Sequence, residues 1–569
     1  MEDFGSALKI ITERLLSARN SKGFWTGKLS SSALSTATAV SALSLVKNSA
    51  DSRLIENALK WLAACQNADG GWGDTDKSPS NLPTTLLVDA AFALSGKETG
   101  FPETLKKCAA YIAERAGKTG DEKIEALRKI YGKDRTFIVP ILMNLALAGK
   151  MRWEKVSSLP FEIAALPFSF YRIIKLPVVS YALPALIAIG HAAHYKKGGT
   201  NILKNLARKT TLLKLEKIQP ESGGYLEAIP LTAFVSMGII SIYGEENPVA
   251  KKGLGFLRDT ARTDGSWAID SDLSVWLTTQ AAQALPGDAG SKDWLRGIQN
   301  TNRHKYTDSP PGGWGWSNLS GSVPDADDTA GALIALHGFG AEENAASAKK
   351  GARWLLDLQN SDGGFPTFCR GWMKLPFDKS SADITAHALR ALSLWKHHFY
   401  NEEIHRAARR ALEFLEVNQN KDGSWNPLWF GSHYASDISN RTYGTARVLV
   451  MYRELGLAGT AEAMLGAEYL VKTQNADGSW GGVAGAPGSM EETSLAVIAL
   501  AGLTGTNRDS FLKGARFLKE KVMKDEIKPA PIGLYFQSLW YYEELYPLIW
   551  GTAALRLAAK PGPGSEKDI

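Results

Sequence analysis

A motif of fifteen residues recurs along this chain, and it limits the fold more than any other feature of the sequence. Each copy places a small and an aromatic residue at helical spacing, continues with Gln-Asn and Asp-Gly, and ends on Trp or Phe. Because Asp-Gly favours a turn with positive φ, each copy predicts a helix end followed by a tight turn. The clear copies are residues 58–72, 351–365, 411–425 and 466–480.

An apolar helix is predicted after each turn, so the repeating unit is a pair of helices. Weaker copies end at Trp25, Trp267 and Trp316. Stacked helix pairs form open solenoids or closed α/α toroids. The toroid is favoured because the Gly-rich turns recur at one end and the following helices are almost wholly apolar, as an inner ring requires. Four glutamines are predicted to clamp helix ends through their side-chain amides: Gln66, Gln359, Gln419 and Gln474.

Composition narrows the class of protein. A length of 569 residues suggests about two to four domains. Apolar residues make up 44% of the chain, which supports a large core, and the net charge of +6 is spread over mixed signs, which argues against a nucleic-acid binder. Three scattered cysteines exclude a disulfide framework and a CxxC metal site and fit a reducing compartment. The acidic first residues predict no secretory signal.

One apolar segment, residues 176–195, is long enough to cross a bilayer. Pro177 and Pro184 interrupt it, so a buried inner helix, or a helix that dips into one leaflet, is favoured over a transmembrane helix. A basic amphipathic helix is predicted to follow. It suits an anionic membrane surface, although an ordinary solvated helix is the alternative. Its apolar positions are Ile202, Leu203, Leu206 and Leu213, and its basic positions are Lys204, Arg208, Lys209 and Lys214.

Three carboxylates, Asp325, Asp327 and Asp328, stand directly before a predicted apolar helix. One aspartate at a helix start is an ordinary N-cap. Three of them repel one another, so the pKa of at least one must rise. A carboxyl group that keeps its proton at neutral pH can act as a general acid.

Other residue types near this triplet point to the same chemistry. His387 is predicted on an inner helix one repeat further along, where it could hydrogen-bond to an aspartate of the triplet. Aromatic faces stabilise cations. An acid at one end of an aromatic-lined cavity suits the protonation of an alkene and the stabilisation of carbocations. The aromatic residues expected nearby are Trp276, Trp314, Trp316, Phe368, Trp425 and Trp429.

These motifs resemble the squalene–hopene cyclase and oxidosqualene cyclase superfamily of class II terpene cyclases. The resemblance covers most of the chain and combines the repeated turns, known in the family as QW motifs, with a DxDDTA signature. It implies that Asp327 donates the proton, that Asp325 and Asp328 flank it, and that His387 pairs with this acidic group. The segments that carry it are GGWGWSNLSGSVPDADDTAGALIAL, DKSSADITAHALRAL and DLSVWLTTQAAQAL.

The resemblance also implies which side chains line the substrate cavity. Trp276 and Trp429 match aromatic residues of the family, Trp316 takes the place of a phenylalanine, and Phe368 stands where a tyrosine is usual. Tyr535 belongs to a segment that resembles the C-terminal part of the cavity. The family needs no cofactor, because the alkenes of the substrate supply the electrons and water restores the acid.

The family fold implies two α/α barrels, one inserted into the other. Residues 1–15 and 272–569 would form the catalytic barrel, and residues 16–271 the inserted barrel with the membrane-associated segment. The family is monotopic in the membrane. We therefore expect a peripheral protein on the cytoplasmic side of a bacterial inner membrane. The expected partners are a squalene-like polyprene and the membrane surface, with a homodimer as a further hypothesis and no nucleic acid.

The predicted activity is cyclisation of squalene, or of a similar uncharged polyprene, to a hopene-like triterpene. Two alternatives stay open. A class II diterpene-type cyclase would act on a prenyl diphosphate with Mg²⁺, but no EDxxD-like cluster occurs in a suitable place. A non-catalytic toroid would bind a lipid or a protein. A protein prenyltransferase subunit is disfavoured because its DxC zinc element is absent.

Overall fold

A computed structural model describes residues 3–132, 137–176, 178–503, 506–534 and 539–560 of this chain. Within these residues the chain forms twenty-three α-helices and one two-stranded antiparallel sheet. The helices are α1 (Gly5–Ser17), α2 (Ala33–Ser44), α3 (Ser52–Ala64), α4 (Leu82–Ser95), α5 (Pro102–Ala116), α6 (Gly120–Tyr131), α7 (Ile138–Leu147), α8 (Phe168–Ile173), α9 (Val178–Lys196), α10 (Ile202–Ile218), α11 (Ile229–Tyr243), α12 (Pro248–Asp259), α13 (Ser274–Ala284), α14 (Lys292–Gly297), α15 (Ala326–Gly338), α16 (Ala341–Leu358), α17 (Ala382–Trp395), α18 (Asn401–Val417), α19 (Arg441–Glu454), α20 (Ala461–Lys472), α21 (Met490–Leu500), α22 (Thr506–Met523) and α23 (Tyr546–Ala559).

The sheet pairs β1 (Ile532–Leu534) with β2 (Leu539–Tyr541), so that Ile532 lies opposite Tyr541. Short 3₁₀ turns connect several helices. They are Ser49–Asp51, Glu98–Gly100, Trp153–Lys155, Phe161–Ala165, Tyr225–Glu227 and Pro376–Asp378.

The helices form two closed rings. In the first ring the inner helices α2, α4, α7, α9 and α11 pack side by side, and α11 returns to α2. In the second ring α13, α15, α17, α19, α21 and α23 do the same, and α23 returns to α13. Outer helices cover each ring. The predicted all-α toroidal fold is confirmed.

The chain begins in the second ring, builds the first ring and then returns. Helix α1 packs on α22 and α23. The backbone N–H of Trp25 donates to Thr278 of α13, whereas that of Trp267 donates to Thr36 of α2. The chain therefore crosses from the second ring to the first after the turn that ends at Trp25, and it returns after the turn that ends at Trp267. The domain boundaries after residues 15 and 271 stay predictions.

Inner and outer helices differ in burial, as their sequences predicted. Every residue of α2 is buried, because an inner helix has neighbours on all sides. The outer helix α18 buries one stripe, which includes Ile404, Ala407, Ala411 and Leu415 at helical spacing.

The repeated motif ties the turn after an outer helix to the next outer helix. The side-chain amide of Gln359 donates to the carbonyls of Gly363 in its own turn and of Ala407 in α18, at 2.8 and 2.9 Å. Gln66, Gln419 and Gln474 make the equivalent pair of bonds. The predicted clamp is confirmed. Gln219 and Gln299, in less regular copies of the motif, are clamps that the sequence analysis did not identify.

Glycine is required in these turns for two reasons. Gly363 has a φ of +91°, and a Cβ there would lie 2.3 Å from the carbonyl oxygen of Arg410. A side chain at this position would therefore strain the backbone and collide with the next outer helix.

The long apolar segment forms α9, an inner helix of the first ring that packs between α7 and α11. Pro184 lies inside the helix, and Pro177 falls outside the described residues. Among the helices that the structure describes, none combines the length and the apolar character needed to span a bilayer. The buried inner helix was one of the two interpretations favoured for this segment.

Candidate active site

All three carboxylates of the triplet lie at the start of α15. Asp325 is the N-cap residue, and its Oδ1 accepts a hydrogen bond from the backbone N–H of Asp328 at 2.8 Å. Its own backbone N–H donates to the carbonyl of Trp314 at 2.9 Å, which joins the helix start to the preceding motif turn. Asp325 therefore performs the ordinary structural role that one aspartate of the three was expected to perform.

Asp327 contacts His387. Its Oδ1 lies 2.7 Å from Nδ1 of His387, which α17 presents from the neighbouring position in the ring. The side chain of His387 is fully buried, whereas that of Asp327 is 16% exposed and lines a cavity. The histidine thus meets the predicted proton donor itself.

Burial dominates the electrostatics of this acid cluster, which we define as Asp325, Asp327 and Asp328. It raises the pKa of Asp325 to about 7 and that of Asp327 to about 6. Burial, together with the charge of Asp325, raises the pKa of Asp328 well above its ordinary value. Carboxyl groups this close titrate as a unit, so the cluster holds a shared proton near neutral pH.

The imidazole of His387 is neutral near pH 7. Burial lowers its pKa well below the ordinary value, and the positive charges of Arg447 and Arg390 lower it further. A neutral imidazole leaves the proton of the pair on the carboxyl side. Asp327 is therefore placed to carry a proton, with its oxygen hydrogen-bonded to the ring.

Two charged neighbours were missed by sequence reasoning. Asp383 lies on α17, and burial, together with the charge of Asp327, raises its pKa to about 6. Its position four residues before His387 puts both on one helix face, so the sequence did hold a signal for it. Arg447 is buried on α19. Nothing in the local sequence distinguishes it, because only the ring packing brings α19 beside α17.

The acid cluster opens into a cavity of about 120 Å³, which we call the main cavity. This volume is smaller than the ~300–1,000 Å³ that is typical of small-molecule sites. Four of the five predicted lining residues are present: Trp276, Trp316, Phe368 and Trp429. Tyr535, the fifth, lies outside the described residues. Lining residues that the sequence analysis did not select are Leu226, Asp270, Leu273, Thr367, Phe377, Phe430, Tyr541 and Tyr546.

The aromatic walls are in contact with one another. Phe368 meets Trp316 and Trp429 edge to face, with ring centroids 6.4 and 5.7 Å apart. The indole N–H of Trp429 donates to Thr367 at 2.7 Å, which fixes the orientation of that ring. Rings held in this way present electron-rich faces that can stabilise positive charge.

Two tryptophans expected beside the cavity have another role. Trp314 and Trp425 are fully buried, and their indole N–H groups donate to the carbonyls of Leu295 and Leu415. They are the terminal aromatic residues of motif turns, whose indole rings pack between helices, so they do not line the main cavity.

This arrangement can deliver a proton to an apolar substrate and then stabilise the cation that results. The cavity is almost entirely hydrocarbon and aromatic, except for the acids and Thr367. Within the part of the chain that the structure describes, no group of three His, Cys, Asp or Glu side chains has the geometry of a metal site.

Comparison with known proteins agrees with this site. Two family models match the chain: the squalene–hopene cyclase N-terminal domain over residues 8–187, and the squalene–hopene cyclase C-terminal domain over residues 274–529. A squalene–hopene cyclase of Alicyclobacillus acidocaldarius is 25% identical over 80% of this chain and 79% of its own length. Drimenyl diphosphate synthase of Streptomyces showdoensis is 30% identical over 42% of each chain.

The chain spans about half the length, or less, of two larger fungal relatives. One is a terpene cyclase–glycosyl transferase fusion protein of Humicola fuscoatra, 24% identical over 92% of this chain but only 47% of that protein. Among solved structures, ent-copalyl diphosphate synthase from Streptomyces platensis aligns over 98% of this chain and 99% of its own, with a TM-score of 0.56 and 19% identity. The shared fold, the two family models and the acid cluster together show that this chain belongs to the squalene–hopene cyclase superfamily of class II terpene cyclases.

Proposed function

We propose that this protein catalyses the proton-initiated polycyclisation of a linear polyprene, with squalene and a hopene-like triterpene as the first candidate pair. One observation carries the proposal: a buried carboxyl group, Asp327, whose pKa is raised to about 6, opens into an aromatic-lined cavity. The family models and the Alicyclobacillus relative support squalene, an uncharged substrate that suits an apolar cavity.

The reaction begins when Asp327 gives its proton to the terminal alkene. The π electrons form the new C–H bond, and the neighbouring carbon becomes a cation. Each following alkene attacks the cation before it, so one ring closes and the charge moves on. Trp276, Trp316 and Phe368 stabilise these cations through their ring faces. Loss of a proton from carbon ends the sequence, and water returns a proton to Asp327.

A prenyl diphosphate is the second candidate, and a basic pocket favours it. This basic vestibule is lined by Arg172, Lys175, Arg303 and Arg370, and it shares Phe368 with the main cavity. Arg172 and Arg303 pair with Asp308 at 3.1 and 3.6 Å. Lys175 and Arg370 have no carboxylate within ion-pair distance among the described residues, so they are available for an anionic head group.

The vestibule and the main cavity share Phe368 in their linings, and the acid cluster belongs to the main cavity. This arrangement suits a chain with a charged head and an alkene tail. The name of the Streptomyces showdoensis relative supports this candidate as well. In such a substrate the head would stay in the vestibule while Asp327 protonates the distal alkene.

The experiment offers purified protein squalene, oxidosqualene and geranylgeranyl diphosphate separately, with and without Mg²⁺, and identifies products by mass spectrometry. We expect a cyclic product from at least one of them, and Asp327→Asn should lower the rate at least ~100-fold because it removes the general acid. Inorganic diphosphate should inhibit conversion of geranylgeranyl diphosphate but not of squalene, which separates the two candidates.

Two results would count against the proposal. Wild-type turnover by Asp327→Asn, with a normally folded protein, would remove Asp327 from the reaction. Binding of all three polyprenes without any product would instead favour the non-catalytic, lipid-binding toroid.

A further inference from the structure

Arg447 is a buried arginine that has no counter-ion among the described residues. It lies on α19 and is 8% exposed. Its Nη1 is 3.4 Å from Oε1 of Gln280, and its Nη2 is buried without a hydrogen-bond partner among the described residues. No carboxylate of the described chain lies within ion-pair distance of the guanidinium. Burial of an unpaired charge is costly, so such a group needs an explanation.

The neighbouring arginine shows the ordinary solution to the same problem. Arg390, on α17, pairs with both carboxylate oxygens of Glu454 at 2.8 and 2.9 Å, and it also reaches Gln283. Its positive charge is therefore compensated locally. The positive charge of Arg447 is not compensated by a carboxylate in this way, so Arg447 supplies the net positive field in this part of the ring.

The guanidinium lies behind the active site. It is 5.7 Å from the ring of Trp276 and 5.9 Å from the ring of Tyr443. Trp276 lines the main cavity, whereas Arg447 does not, and the rings of Trp276 and His387 are nearly perpendicular with centroids 6.1 Å apart. Arg447 thus lies next to an aromatic neighbour of the Asp327–His387 pair and outside the cavity lining.

We infer that Arg447 is a positioning residue that makes Asp327 a stronger proton donor, by placing an uncompensated positive charge beside the Asp327–His387 pair. The inference rests on the proposed role of Asp327 as the general acid. It does not depend on which polyprene is the substrate.

The reason is that every other uncompensated charge near the pair opposes proton loss. Asp325 and Asp328 lie on the same helix as Asp327, and Asp383 faces it from α17. A carboxylate formed among three further acids would be strongly disfavoured. A buried cation offsets this repulsion and stabilises the carboxylate that remains after the proton has left.

The same charge acts on both partners of the pair. Arg447 lowers the pKa of Asp327 against the upward effect of burial, and it also lowers that of His387. The imidazole therefore stays neutral and does not take the proton that the alkene must receive. Asp327 becomes the more acidic member of the cluster without losing its proton to the histidine.

The test compares Arg447→Met, which removes the charge, with Arg447→Lys, which keeps it. Without the charge Asp327 is a weaker acid, so we expect the rate of cyclisation on the low-pH plateau to fall about tenfold. In the profile of rate against pH, the midpoint of the decline at higher pH should move up by about one pH unit. The lysine variant should stay close to the wild type in both respects. Squalene and geranylgeranyl diphosphate are assayed separately.

A second readout does not require turnover. The carboxyl stretch of Asp327 in the infrared spectrum, with Asp327→Asn as the background, should titrate at higher pH in Arg447→Met than in the wild type. An unchanged midpoint would overturn the inference. A shifted midpoint in a protein that converts neither substrate would keep the inference and refute the proposed function.

A matched control is available on the same helix. Arg453 is also largely buried, but it donates to the backbone carbonyls of Ile498 and Ala501. These carbonyls lie at the end of α21, which packs on α19 from the side opposite α17. Arg453→Met should lower stability without moving the infrared midpoint. If Arg447→Met does not fold, Arg447→Gln removes the charge while keeping a polar contact to Gln280, and it carries the same expectation.

Discussion

At the residue scale, the three aspartates of the cluster divide their tasks by position. Asp325 is used as the helix N-cap, and burial raises the pKa of Asp328 well above the ordinary value. All three aspartates line the main cavity, and Asp327 combines a pKa of about 6 with a hydrogen bond to His387. A carboxyl group with a raised pKa at the wall of a cavity can donate a proton to an apolar substrate.

This arrangement should make stability depend on pH. Folding raises the pKa of Asp327 from its ordinary 3.8 to about 6, so the folded state binds the proton more tightly than the unfolded state. Stability from this group is therefore present at low pH and is lost as pH rises through the interval from 3.8 to about 6. A shift of about two units corresponds to about 3 kcal/mol.

Asp327→Asn cannot ionise, so we expect it to gain stability relative to the wild type as pH rises. The difference in melting temperature between variant and wild type should be more positive at pH 8 than at pH 4. Loss of the His387 contact acts at both pH values and cancels from this comparison. A surface variant, Asp293→Asn, should show no such trend, and an equal difference at both pH values would contradict the prediction.

At the element scale, the rings are held together by polar clamps as well as by apolar packing. Gln359 is 5% exposed, and its amide donates to the carbonyl of Gly363 in the turn and to that of Ala407 within α18. Each clamp thus connects a turn to the next outer helix. This explains why a short motif recurs around both rings.

Replacing the clamp should therefore destabilise the protein. Gln359→Leu removes two buried hydrogen bonds and leaves the Gly363 carbonyl without the donor that Gln359 supplies, so we expect a loss of about 1–3 kcal/mol in the free energy of unfolding, measured with urea. Gln66 makes the same two bonds but is only partly buried, so water can replace its amide. Gln66→Leu should cost clearly less, and equal losses would show that burial does not decide the value of the clamp.

At the scale of the whole molecule, the first turns of α10 present apolar residues to solvent, whereas Leu215 and Ile218 near its end are buried. Ile202, Leu203 and Leu206 are 74%, 68% and 74% exposed. Two of its basic residues face the protein instead: Lys204 donates to the carbonyl of Leu159, and Arg208 lies over the rings of Tyr195 and Tyr243. An outer helix with this orientation suits insertion into one leaflet better than exposure to water.

We therefore propose peripheral attachment to a membrane, on the cytoplasmic side of a bacterial inner membrane, through α10 and the neighbouring exposed apolar residues. Additional members of this surface are Ile163, Leu166, Phe170, Ile173 and Leu213. A homodimer stays a prediction, which light scattering in detergent can check.

Substitution of the exposed leucines tests the attachment. We expect Leu203→Ser with Leu206→Ser to reduce co-sedimentation with phosphatidylglycerol–phosphatidylethanolamine vesicles at least ~10-fold, because each buried leucine contributes ~1.5–3 kcal/mol. Val417, 82% exposed on α18 of the second ring, provides the control. If Val417→Ser has the same effect, or if the double variant binds like the wild type, α10 is not the attachment surface.

The helix pairs, their arrangement in rings and the crowding of the acidic triplet were predictable from local sequence. A motif that clamps helix to helix can be identified locally, and three aspartates at a helix start indicate that at least one pKa is raised. His387 was expected beside the triplet from its place on the next inner helix, whereas the choice of Asp327 among the three and the four aromatic residues of the cavity lining came from the resemblance to the cyclase family.

Which elements meet depends on the tertiary structure. Ring packing brings Arg447 beside Trp276, and the C-terminal segment adds Tyr541 and Tyr546 to the lining of the main cavity. Trp314 and Trp425 are buried in the motif turns. The outward orientation of the apolar residues of α10 also depends on the tertiary structure, because an amphipathic pattern defines two faces of a helix but does not say which face the protein covers. Side chains whose neighbours are distant in the chain carry no local signal, and their charge or exposure is set by the fold.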